Sequence, residues 1–564
     1  MNQHRFLSGS TSLEIPRRPF IPALISILIA ISGTQLVWGQ HQHPRSDEGR
    51  AILLPGLGQH HHLISTKHPE AQKFFDQGLT LLYGFNRAEA VRSFRRAAEL
   101  EPKAAMPYWG IALAYGPHIN MELDMDVQEK AAYEAIQRAL SLSSEAPEQE
   151  RRYVEALSKR YSTDPKADLN KLALNYQKAM GELMRRYPDD QDAATLYAES
   201  LMIPHRWKWW SPDGKPAEGT EEAVTVLESV MRRNPLHPGA NHLYIHAVEM
   251  SPHPDRALQS AARLMSLVPG AGHLVHMPGH IFLLTGDYEL AARTNELAVK
   301  ADEEYMRLTG TTDPVYTLGY YPHNLHFVAM ARAAQGRYEE AKRAADQLVA
   351  HVGPRFKDMP AMVDYFMPVS LYILLRFHRW DEILKTQPPD SSLAVTGSLW
   401  HYARASAMAG KGKVKEARME QRAFEAARGK VSADTQFTNN RAVDVLRVAA
   451  AVLEARLAGS DEGSIEIWKK AVEAQDTLSY EEPPPWYYPV RESLGGALLR
   501  IGRAAEAEAV FRESLKRNPR NGRSLFGLME SLSAQKRISE AQDVQVEFER
   551  AWPKDRTPLR IEDL

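Results

Sequence analysis

A helix–turn–helix unit of 34 residues, returning along most of the chain, constrains this sequence more than any other feature. The first copy is PEAQKFFDQGLTLLYGFNRAEAVRSFRRAAELEP, from 69 to 102. Its aromatics and leucines recur at helical spacing, which gives each helix one apolar face. Phe85 and Asn86 mark the turn. Ala90, Ala97 and Ala98 are small where two helices must approach closely, and Pro102 ends the unit. One such hairpin cannot bury its own apolar face, so the copies must stack.

The pattern returns in AMPYWGIALAYG (105–116), GDYELAARTNELAVKADEEY (286–305), GRYEEAKRAADQLV (336–349), GKVKEARMEQRAFEAA (412–427), GRAAEAEAVFRESLKRNP (502–519) and KRISEAQDVQVEFERAWP (536–553). Turn positions Pro252 and Gly286 are 34 apart, as are Gly502 and Lys536, whereas Gly286 and Gly336 are 50 apart, so one unit carries an insertion. No strand alternation or Asn-Gly hairpin signal competes. With the Trp109-Gly110 pair in the second unit, the chain resembles the tetratricopeptide-repeat (TPR) family over most of 70–553. The resemblance implies an all-α, TPR-like α-solenoid, a right-handed superhelix whose first helices line a concave groove. It also implies a peptide or protein partner held in that groove. The repeats divide into an N-terminal set (69–235), a central histidine-bearing set (236–350) and a C-terminal set (351–564). Two aromatic, turn-rich stretches interrupt them, 202–219 and 479–496, the second broken by Pro483 to Pro485. Two roles stay open for both: loops capping a groove, or aromatic staples between repeats.

The central set carries NHLYIHAVE (241–249), HLVHMPGH (273–280) and YPHNLH (321–326). Counted back from the turns at Pro252, Gly286 and Gly336, His242, His276 and His326 each lie ten positions upstream. His246 and His280 lie six upstream, and His273 and His323 thirteen. His242 and His246 share a helical face with Glu249, and His276 with His280 repeats the four-residue spacing. Pro278 and Pro322 suit the first turns of helices. Equivalent registers of neighbouring repeats sit side by side. The expected metal site is therefore His242, His246, Glu249, His273, His276, His280, His323 and His326, with Glu249 the candidate catalytic base if an ion activates water.

Two or more ions, or one ion with outer partners, both fit that many ligands. Asn241 and Asn324 are candidates for outer hydrogen bonds. His60 to His62 could join if their segment folds inward, and otherwise stay solvated. With no cysteine in the chain, imidazole and carboxylate suit zinc, copper, nickel or non-haem iron. An exported location favours copper or zinc over iron as the transition-metal cofactor. The competing reading of the histidines is a hydrogen-bonded stack between helices. Tyr83, Tyr320 and Tyr321 are either redox neighbours of an ion or ordinary aromatic core. No HExxH helix, phosphate-binding glycine loop or Gly-x-Ser-x-Gly elbow is present, so no substrate follows from motifs. A metalloenzyme and a metal store or carrier both remain open. The other class of function is a non-enzymatic scaffold, for which Asn, Lys and Arg would be expected on the concave registers that here carry His.

The N-terminus speaks to location. A basic segment ends at Arg17-Arg18, an uncharged apolar run follows from Pro19 to Leu36, and Val37-Trp38-Gly39 offers a cleavage site before Gln40. Residues 1–39 read as an export signal to a periplasmic or extracellular location. RRPFI resembles a twin-arginine signal, although Pro16 and Pro22 depart from that pattern. If the segment is retained, it becomes a membrane anchor. Residues 40–68 form a polar, histidine-rich arm. A net charge of −2 implies no nucleic-acid partner.

Overall fold

Helical hairpins follow one another from Pro69–Tyr83 with Arg87–Leu100 to Gly522–Ala534 with Ile538–Ala551. This is a computed structural model, and it describes residues 51–120, 128–164, 166–357, 359–459, 462–553 and 556–564. All of these lie in one compact unit, 43–564. The export signal and the start of the arm fall outside the described residues. Among those described, no helix is long and apolar enough to cross a membrane. Strand is confined there to a two-residue antiparallel pair, Gln436–Phe437 with Asn440–Arg441. The fold is the expected all-α, TPR-like solenoid.

One backbone device closes hairpin after hairpin. The second residue before each second helix has a left-handed backbone: Phe85 (φ 56°), Gly286 (79°), Gly336 (73°), His378 (53°), Gly412 (72°), Gly502 (79°) and Lys536 (62°). Glycine takes this conformation without penalty; a side chain there costs about 1–2 kcal/mol. The next residue caps the second helix where it has a suitable side chain. Asn86 accepts from Glu89 N–H at 3.3 Å and Asp287 from Leu290 N–H at 3.1 Å.

A second device sets the spacing between units. Phe94, on a second helix, fills a slot between Gly78 of its own first helix and Gly110 of the next one. A methyl at Gly78 or Gly110 would lie 2.7 or 2.6 Å from the ring. Phe511 sits the same way between Gly495 and Gly527. In both cases the glycines lie sixteen residues before and after the phenylalanine.

The histidine-bearing helices are deeply buried. Pro238–Glu249 is buried along its whole length. The next unit's first helix is broken into Gly272–His276 and Pro278–Leu284, because Pro278 has no N–H to continue the ladder. The insertion expected between Gly286 and Gly336 appears as a long helix, Tyr288–Thr309, followed by a π-helical turn, Val315–Tyr320, that leads into Tyr321–Ala334.

Candidate metal centre

The three histidine clusters resolve into two separate trios. His242, His246 and His273 bring one ring nitrogen each to within 4.8 Å of one another, and so do His276, His280 and His323. The solenoid repeat generates both. Each trio takes the positions ten and six before the turn of one unit, and adds the position thirteen before the turn of the next. The trios adjoin: the rings of His273 and His276 are 5.5 Å apart, and those of His246 and His280 are 5.8 Å apart. His323 is half-buried and the other five are buried.

Outer partners fix the tautomers. His242 Nδ1 donates to the Tyr83 carbonyl at 2.5 Å, so its Nε2 is a lone pair. His246 Nδ1 donates to Glu249 Oε1 at 2.8 Å, and its buried Nε2 has no partner. His276 Nδ1 is 2.8 Å from Asn295 Oδ1. The Asn295 amide donates from Nδ2 to the Ala291 carbonyl at 2.8 Å, so Oδ1 can only accept and His276 Nδ1 must carry the hydrogen. His280 Nδ1 donates to Glu249 Oε2 at 2.6 Å. One carboxylate, Glu249, thus orients a ligand in each trio.

Inside the trios, ring nitrogens face each other. His242 Nε2 and His273 Nε2 are 3.2 Å apart, and His276 Nε2 and His280 Nε2 are 2.8 Å apart. Two nitrogens on one ion at about 2.0–2.1 Å each stand about 3.3–3.5 Å from one another. Without an ion, a proton must occupy the gap. Burial, and next the charge on other imidazoles, push His242, His273, His276 and His323 well below the usual histidine range. These rings are neutral, which is the ligand form. His280 differs. Burial would lower it, but the carboxyls of Glu482 and Glu249 hold it up at about 10. Burial would also raise Glu249, yet His246 and His280 keep it charged.

Each trio has a phenylalanine lid. Phe85 lies 4.5, 6.0 and 5.2 Å from His242, His246 and His273. Phe327 lies 4.8, 5.1 and 5.2 Å from His276, His280 and His323. Phe85 is also the left-handed turn residue where several other units use glycine, so its ring is held over the imidazoles at a backbone cost. Tyr320 lies 5.0 Å from His273, and Trp207 lies 5.8 Å from His246.

The structure corrects several expectations. His326 joins neither trio. It is buried beside Tyr365 and Phe366, at 5.9 and 6.2 Å, and burial lowers it to about 3. The register explains this: the position four residues on, where a trio needs its second histidine, is Met330. Glu249 accepts from His246 Nδ1 and His280 Nδ1, and with His280 and Glu482 it also forms a further buried group whose ligand atoms could hold an ion. Asn241 bonds the carbonyls of Pro235 and His237, and Asn324 bonds Asp302; the outer amide is Asn295. Sequence reasoning also missed Glu482. Its Oε2 lies 2.7 Å from His280 Nδ1 without receiving that hydrogen, and Tyr480 donates to its other oxygen. The 479–496 stretch packs as the aromatic staple foreseen for it and also brings a carboxyl to the centre. Glu482 reaches the centre, while Trp486, Tyr487 and Tyr488 pack as buried aromatics.

The arm does fold inward, but not onto the trios. Asp192 accepts from Tyr83 OH (2.6 Å), His62 Nδ1 (2.8 Å), His60 Nε2 (3.0 Å) and His237 Nε2 (3.2 Å). His237 Nδ1 accepts from Ala240 N–H at 3.1 Å, so its Nε2 is bound to hydrogen and is not a ligand lone pair. This cluster is satisfied as a latch. Burial works against charge on His62, but the hydrogen bond and charge of Asp192, helped by Asp190 and Asp76, hold it up at about 8 against an ordinary 6.5. A raised value means that protonation favours the docked arm. The contribution, on the order of 2 kcal/mol, is complete below pH 6.5 and lost as pH rises through about 8. Limited proteolysis should cut the arm faster at pH 9 than at pH 6, and an Asp192→Asn variant should lose that pH dependence.

No protein-family model matches this chain, and no curated protein matches its sequence. Several solved helical-repeat structures do. A human IFIT1 dimer with m7Gppp-AAAA is 11% identical, with a TM-score of 0.33, covering 87% of this chain and 91% of that one. Yeast Tom70 is 12% identical, with a TM-score of 0.29, covering 85% and 97%. The TPR domain of P58(IPK) is 12% identical, with a TM-score of 0.22, covering 83% and 98%. The likeness is one of fold.

Proposed function

We propose that this is an exported TPR-like protein that binds two transition-metal ions. One ion takes His242, His246 and His273; the other takes His276, His280 and His323. The observation that carries this reading is the pair of facing ring nitrogens in each trio, with the tautomers of His242, His246 and His276 set from outside by Tyr83, Glu249 and Asn295. A hydrogen-bonded imidazole stack would orient N–H groups at acceptors. Here His246 Nε2 and His273 Nδ1 are buried without any partner. Three nitrogens per ion leave a coordination position open for chemistry. The N-terminal signal supports export.

Elemental analysis after reconstitution tests the reading. The wild type should retain two ions per chain, as two trios require. His242→Ala with His246→Ala should retain one, and so should His276→Ala with His280→Ala. His326→Ala should retain both. Circular dichroism on each variant separates lost binding from lost fold. Background metal in the folded wild type would end the proposal.

A scaffold for a peptide or protein partner is the second reading. The observation that favours it is an open cavity of about 1620 Å³ between the arm and the helices, lined by Asp190, Arg186, Arg263 and Leu236. Binding there would be unaffected by removal of the trios.

A further inference from the structure

We infer that Arg87, Arg160 and His118 form an anion site on the flank of the first trio, which takes the carboxylate or phosphate oxygens of a small ligand. The site stands on these residues alone and needs no ion; only its setting beside a bound ion rests on the two-ion reading above. The turn that follows the helix Ala105–Tyr115 gathers the three side chains. Arg87 Nη1 donates to the carbonyls of Leu113 at 2.9 Å and Gly116 at 3.4 Å. Arg160 Nη2 donates to the next carbonyl, Pro117, at 2.6 Å. His118 follows directly. Its Nδ1 accepts from Asn120 N–H at 3.4 Å, so its Nε2 carries the hydrogen.

Three hydrogens there lack acceptors. Arg87 Nε, Arg160 Nε and His118 Nε2 are buried, and none has a partner. An unmet buried donor costs about 1–3 kcal/mol. All three groups donate, which suits an acceptor-only oxyanion. Charge is unbalanced as well. Glu199 stands 3.5 Å from Arg87, whereas the buried Arg160 is in no ion pair among the described residues. Arg160 lies over the Tyr176 ring at 4.8 Å, which supplies no full charge. Water would meet the donors yet leave a buried guanidinium uncompensated. The site adjoins the candidate centre. The His118 ring is 4.7 Å from Phe85, the lid of the first trio, and Tyr320, 5.0 Å from His273, lies within reach of the Arg87 charge. A ligand anchored by its anionic end has Tyr320 and the first trio as neighbours.

Equilibrium dialysis of the metal-free full chain tests the site, with radiolabelled acetate, inorganic phosphate and the neutral analogue acetamide as probes. At least one of the two anions should saturate at one per chain, and the tighter of them names the ligand's head group. Acetamide should not bind. Arg160→Met and His118→Phe should each weaken the bound anion by about 10–100-fold, as loss of a hydrogen bond to a charged group does. Circular dichroism checks that each variant is folded; if Arg160→Met does not fold, His118→Phe decides. Saturable binding of neither anion would overturn the site, and acetamide binding as well as acetate would overturn the role of charge. A folded His118→Phe chain that holds the anion as tightly as the wild type would place the binding elsewhere and overturn the assignment. No metal is present in these measurements, so their failure leaves the two-ion reading intact. Conversely, a chain that binds the anion but retains no metal would defeat the earlier proposal and leave this site standing.

Discussion

Replacing Glu249 by Ala is expected to weaken both ions at once, by about 10–100-fold each. The carboxylate accepts from His246 Nδ1 with one oxygen and from His280 Nδ1 with the other, at 2.8 and 2.6 Å. An alanine has no acceptor, so it serves neither of these rings. His246 is left with a buried N–H and no acceptor, which costs about 1–3 kcal/mol, and His280 keeps only Glu482 Oε2 at 2.7 Å, so both imidazoles lose the carboxylate that links them. The ligand sets of the two trios share no histidine, so a double loss from one substitution is the signature of a shared positioning group. Competition with a chelator, followed by metal analysis of the separated protein, measures it. Loss of only one ion would show that Glu249 serves a single trio.

Truncating Phe511 to Ala is expected to destabilise the C-terminal repeats by about 3–5 kcal/mol. The ring is fully buried and fills the slot between Gly495 and Gly527. The opposite change, Gly527→Ala, forces a methyl into that ring and should cost about 1–3 kcal/mol or more. Both should appear as earlier denaturant midpoints for the C-terminal repeats. Neither should alter metal content, because neighbour-to-neighbour stability in a solenoid keeps such damage local. Phe94→Ala is the contrasting case, since its hairpin supplies Tyr83 and Phe85 to the centre.

The repeats were legible because they rest on local chemistry. Left-handed turn residues, small second-helix residues and apolar spacing are all short-range signals. The register of the histidines was legible too, and it contains the split into trios. Spacing four keeps two imidazoles on one ion, as in His242 with His246 and His276 with His280. Spacing three sends them to different places: His273 and His276 go to different trios, and His326 leaves His323 altogether. Grouping all seven histidines as one set concealed that rule. Met330 at the sixth position before its turn was the signal that a third trio could not form. Other parts were not legible. Glu482 comes from an irregular, proline-broken segment with no period to place it. Phe85 and Phe327 look like core residues, and Asn295 sits in a helix with nothing to distinguish it from Asn241 or Asn324. Each is tied to the centre by tertiary contacts, which a pattern along the chain does not encode.

The contacts around the trios begin at Tyr83 and end at Glu482. During synthesis, all six imidazoles emerge long before the glutamate that completes their surroundings. A nascent chain halted after the central repeats would have the nitrogens in place but lack the final acidic partner. On the two-ion proposal, ion uptake is therefore a late event that follows assembly of nearly the whole spiral. On that proposal, the compartment that supplies the cation meets a finished polypeptide, not a growing one.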